Sequence, residues 1–186
     1  MSKGLLEELA QQKELLDAEE LACARQVAAR INLAQGLRAV EIDSLGQASL
    51  DSYFVLLKLS LAYSAADAMK TLDASWNVKV IDPSMQQALA KGTFEALLVH
   101  LRLNSDRQKN SNSKELAGFG PGQANEELIT LVKHCRHVVF HASAAPKTIG
   151  LAASKQRRAL LLGLANATLS AVESTFRNWL RAKVAK

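Results

Sequence analysis

The residues most able to do chemistry are gathered in one short run, Arg136-His137-Val138-Val139-Phe140-His141. Three of the four histidines of the chain, His134, His137 and His141, fall within eight residues of one another. Histidine is suited to proton transfer near neutral pH because its ordinary pKa is about 6.5. Arginine keeps its charge and offers a planar fork of donors, so it is suited to holding a developing anion. The same residues also fit two other readings. They form an ordinary solvated polar face, or His137 and His141, at i and i+4, share a metal ion. His134 and His141 stand about 10 Å apart along a helix, too far to share one ion. No Asp, Glu or Cys nearby completes a ligand set, so neither a metal nor a cofactor is expected.

A helical wheel sorts this segment into two faces. Leu128, Leu131, Val132, Cys135, Val138 and Val139 fall within about 60° of Cys135 and form an apolar stripe. Lys133, His134, Arg136, His137, Phe140 and His141 occupy the remaining arc. The pattern Arg-His-x-x-x-His resembles the signature of the HEPN family, in which Arg is followed by a polar residue and then by His. The run before the helix stop Ala142-Ser143-Ala144-Ala145-Pro146 and the segment SLDSYFVLLKLSLAYSAADAM are similar to that family's arrangement, over roughly residues 49–186. The resemblance implies a helical bundle and, in many members, a metal-independent endoribonuclease of toxin or antiviral-defence type. It also implies His141 as general base or acid, Arg136 as phosphate clamp, and His137 as a positioning group. Other members are catalytically silent helical interaction or RNA-binding proteins. One subclass carries a modifiable tyrosine two residues after the last histidine; Ser143 stands there in this chain, which puts that form of regulation in doubt.

On a straight helix Arg136 and His141 point about 140° apart. They meet on one phosphate if the helix bends between them or if two subunits combine their motifs. The family's homodimeric arrangement supplies the second solution, so a homodimer with the motif helices facing one another is expected. An antitoxin or other partner protein is a further expectation of the resemblance. Charge supports an anionic ligand. From Leu128 to Val172 there is no Asp or Glu, whereas Lys133, Arg136, Lys147, Lys155, Arg157 and Arg158 lie in that stretch. Lys155, Arg157 and Arg158 open a helix, where cations oppose the helix dipole and a phosphate would offset them. Solvated side chains with a tolerated cost are the other reading. Lys133, Lys147, Lys155, Arg157 and Arg158 are the expected RNA contacts. The run Gly118-Phe119-Gly120-Pro121-Gly122 lacks the Lys and Ser/Thr of a P-loop and reads as a flexible turn.

The elements that must position these residues are helical. The chain has 186 residues, few aromatics, abundant Leu and Ala, and a net charge of +5. One all-α domain spanning 1–186, a bundle of four or five helices, is predicted. A long first helix is expected over about 3–40. A second over about 50–73 has an apolar stripe of Leu50, Phe54, Leu57, Leu61, Ala65, Ala68 and Leu72. A third starts at Asp82 and Pro83 and runs to Leu101, and a polar loop follows over 104–123. The motif helix starts near Asn125, and a fifth helix covers about 154–182. Cys23 and Cys135 form no CxxC pair and read as small core residues in a reducing compartment. No run of 18 apolar residues is present, and the early residues are acidic rather than signal-like. No membrane span and a cytoplasmic location are therefore expected.

Overall fold

The structure, a computed structural model, describes residues 4–74 and 154–185. These form an all-α fold with no strand among the described residues. Helix α1 spans Leu5–Gln12 and passes into a 3₁₀ turn, Lys13–Leu15. Helix α2 spans Ala18–Gly36, α3 spans Gln47–Leu72, and α4 spans Lys155–Val184. The expected third helix, the 104–123 loop, the Gly118–Gly122 turn and the motif helix lie outside the described residues.

The long first helix expected over 3–40 is instead two helices with a break. Leu16 and Asp17 are extended, and the Asp17 carboxylate accepts from the backbone N–H of Glu19 at 2.9 Å and of Glu20 at 2.8 Å. Those bonds satisfy two of the donors that every helix start leaves unpaired. Glu19 and Glu20 also lie favourably in the dipole at that end. Leu16 and Leu21 stand at the two positions of a hydrophobic staple, and both pack in or against the core. The second end moves as well. α2 stops at Gly36, and the chain then crosses to α3 through a turn in which Ser44 adopts φ 66°.

α3 is the central element. It packs along α2 on one side and α4 on the other. Its buried residues are Ser52, Val55, Leu56, Leu59, Ala62, Ala65, Ala66, Ala68 and Met69. Most of these centre on a direction roughly 140° around the axis from the apolar stripe expected from sequence. Of the expected stripe, Ala65 and Ala68 are buried, Leu50, Phe54, Leu61 and Leu72 are half-buried, and Leu57 is 40% exposed. The physical reason is that α3 is apolar nearly all round, as suits a helix covered on more than one side. Ser52 and Ser60 would be costly in such a place, but each hydroxyl donates back to the carbonyl four residues earlier, Ala48 and Leu56. Small side chains on both partners, Ala24, Ala28 and Ala34 of α2 and Ala62, Ala65 and Ala66 of α3, let the two helices approach closely. Arg30 crosses between them and donates to the Ser64 carbonyl at 2.8 Å.

α4 is set by Ser154, whose hydroxyl accepts from the Arg157 N–H at 3.2 Å. Leu161, Leu164, Ala165, Thr168, Leu169, Val172, Phe176 and Leu180 line its buried face. Phe176 stacks on Trp179 with ring centroids 6.2 Å apart. α2 and α4 run in opposite directions: Glu20, early in α2, pairs with Lys183, and Gln35, late in α2, donates to Glu173. α4 is also long and apolar enough, by length and composition alone, to cross a membrane. The stretch is not an unbroken apolar run, since Asn166, Thr168 and Ser170 interrupt it. Leu164, Ala165, Leu169 and Val172 in that stretch belong to the core shared with α3, which gives its apolar content a role within the bundle.

Candidate nucleic-acid interface

Of the residues singled out from sequence, Lys155, Arg157 and Arg158 are described by the structure. Arg136, His137, His141, Lys133 and Lys147 lie outside the described residues. Lys155 is exposed, and Arg157 and Arg158 are half-buried. The cationic first turn of α4 has a protein partner for one of its free donors, since Ser154 takes the Arg157 N–H. That cap offsets part of the cost of placing cations there.

The first turns of α4 lie against those of α3. Between them is a cleft of about 240 Å³, lined by Asp51, Phe54 and Val55 from α3 and by Lys155, Arg158, Ala159 and Leu162 from α4. A shallow depression formed by Ser154, Lys155, Gln156 and Ala159 adjoins it. The Gln47 side chain donates to Asp51 Oδ1 at 2.7 Å and holds the carboxylate in place. Lys58 Nζ lies over the Phe54 ring, 5.5 Å from its centroid, in cation–π geometry. The cleft lining thus combines an aromatic ring, aliphatic side chains, an acceptor and the cations Lys155 and Arg158, with Lys58 close to the ring. Asp51, Phe54 and Lys58 were not legible as site residues, because Phe54 reads as one member of an apolar stripe. The available signal is the spacing of Asp51, Phe54 and Lys58, which puts an acid and a base one turn either side of an aromatic ring.

A second polar surface lies on the later part of α4, where Ser170, Glu173, Ser174, Arg177, Asn178 and Arg181 line an open groove. Arg177 pairs there with Glu8 of α1 and with Glu173. Partial burial works against the charge on Arg177, but the hydrogen bonds and attraction from Glu8 and Glu173 outweigh it and raise its pKa above the ordinary value. Its charge is already matched, so its place is in holding α1 to α4. Among the described residues no group of three or more His, Cys, Asp or Glu side chains is arranged to hold a metal ion. Cys23 is a half-buried free thiol. The chain matches no protein-family model, no curated protein and no solved structure.

Proposed function

We propose that this chain is a HEPN-like, metal-independent endoribonuclease of toxin or antiviral-defence type, acting on RNA as a cytoplasmic homodimer. The observation that carries the reading is Arg136-His137-x-x-x-His141 within an acid-free, cationic stretch that continues into the first turn of α4. In this reading a base removes the 2′-OH proton, and the oxygen attacks the adjacent phosphorus. The 5′-oxygen leaves with a proton from an acid. His141 serves as base or acid, Arg136 clamps the phosphate, and His137 orients substrate or His141. Lys133, Lys147, Lys155, Arg157 and Arg158 hold the backbone, so binding weakens as salt rises. Two motif helices facing one another across a dimer bring Arg136 and His141 to one phosphate. A second reading, a non-catalytic helical RNA-binding or interaction protein, draws on the cleft between α3 and α4, which combines cations and an aromatic ring without the histidines.

Labelled RNA incubated with the protein in EDTA separates the two. Cleavage that persists in EDTA, leaves a 2′,3′-cyclic phosphate, and disappears in His141→Ala and in Arg136→Ala supports the nuclease. His134→Ala stays active, because His134 lies outside the motif. Activity surviving His141→Ala, or activity lost on chelation, sinks it.

A further inference from the structure

We propose that the cleft between the first turns of α3 and α4 is a base subsite for single-stranded RNA that prefers an amino-bearing base over uracil. At about 240 Å³ the cleft is smaller than the ~300–1,000 Å³ of pockets for drug-sized ligands. It holds one ring system, with the sugar and phosphate left at the rim. Phe54 from α3 and Leu162 from α4 both line it. The face of the Phe54 ring that Lys58 leaves uncovered is the stacking surface, which serves a base whatever its identity. Lys155 stands exposed on the α4 side, and Lys58 lies over the Phe54 ring, so a phosphate carried with the base meets positive charge.

Asp51 supplies the selectivity. An ionised carboxylate only accepts, so it favours a base edge that donates, such as the 4-amino group of cytosine, over the 4-oxo group of uracil. The bond from Gln47 orients that carboxylate before any ligand arrives. Against a phosphate a lone Asp would be unfavourable. Here Lys155, which lines the cleft with it, and Lys58, one turn beyond Phe54, outnumber it. RNA as the ligand class rests on the function proposed above, whereas the subsite does not depend on cleavage.

The test uses the full chain and two fluorescein-labelled decamers, all-cytidine and all-uridine, made with 2′-O-methyl sugars so that they resist cleavage. Binding is followed by fluorescence anisotropy. Wild type binds the cytidine decamer about fivefold or more tightly than the uridine decamer, as expected for one discriminating polar contact. Asp51→Ala brings the two within about twofold of each other. Phe54→Leu keeps apolar bulk, loses the ring, and weakens both by about tenfold. Lys155→Gln weakens both alike and reduces the salt dependence by about one unit of slope. Ala159→Phe, placed on an exposed position of the lining, fills the cleft without touching any proposed contact; it should block binding even if Phe54→Leu proves poorly folded. Equal affinity of wild type for the two decamers overturns the proposal. So does undiminished binding by Ala159→Phe, or absence of binding to either decamer. Cleavage assays on ordinary RNA are independent of all these outcomes, so failure of the nuclease reading and failure of the subsite are distinguishable.

Discussion

Replacing Leu59 and Leu57 by Ala, one at a time, measures which way α3 faces. The two positions lie two residues apart, so they share the same helix, sequence neighbourhood and propensity change. Leu59 is 0% exposed, whereas Leu57 is 40% exposed. Leu59→Ala removes a buried isobutyl group between packed helices and leaves a cavity, at a cost of about 3–5 kcal/mol. Leu57 keeps much of its surface in water, so Leu57→Ala costs at most about 1 kcal/mol. The expected gap is at least about 2 kcal/mol. With a urea slope near 2 kcal/mol/M, that gap is a difference of about 1 M in the unfolding midpoint. Urea titrations followed by circular dichroism read it directly, provided the slope is unchanged between the variants. Equal costs, or a larger cost at Leu57, would mean that the stripe read from sequence is the true core face and that α3 is turned the other way.

Four further outcomes are expected. Asp17→Ala removes the cap of α2 and costs about 1 kcal/mol, with faster hydrogen exchange at the Glu19 and Glu20 amides; unchanged exchange there would contradict the break between α1 and α2. Ser44→Gly relieves a left-handed backbone at a non-glycine position and raises stability by up to about 1 kcal/mol, measured by thermal unfolding. Arg177→Met frees Glu8 and Glu173 and loosens α1, seen as earlier proteolysis near the amino terminus. The raised Arg177 pKa makes its contribution fully present below the ordinary arginine value of the unfolded chain and lost only as pH rises through the still higher folded value. The stability gap between wild type and Arg177→Met should therefore stay level from about pH 7 to about pH 10. Light scattering at micromolar concentration should give the mass of a dimer, and a monomer alone would count against a site shared between subunits.

The all-helical class was legible because the apolar residues recur at helical spacing and prolines avoid the periodic runs. The ends of α3 and α4 were legible within a few residues. Ser154, a good cap ahead of a long apolar run, marks the start of α4. The start of α2 carried an equally good signal in Asp17 with Glu19 and Glu20, but continuous helix-forming residues on both sides masked it. The orientation of α3 was not legible, because periodicity locates a face only when the opposite face is polar. With Val55, Leu56, Leu59 and Ala62 on one side and Phe54, Leu57 and Leu61 on the other, the pattern fits two rotations, and only packing between α2 and α4 chooses. Of the candidate site, the cations of α4 were legible as a charge run. Their neighbours Asp51 and Phe54 were not, since they lie about 100 residues away and are brought together by tertiary packing.

The central position of α3 has a consequence for biosynthesis. One of its flanks is covered by α2, which leaves the ribosome before it, but the other awaits α4, whose first turn follows about 80 residues later. At roughly 5–20 residues per second that is an interval of about 4–16 s. During it, the nascent chain carries an apolar helix surface whose proper cover has not yet been made. Chaperone engagement, and aggregation when synthesis outpaces it, should therefore concentrate on ribosome-bound chains stalled between the end of α3 and the start of α4.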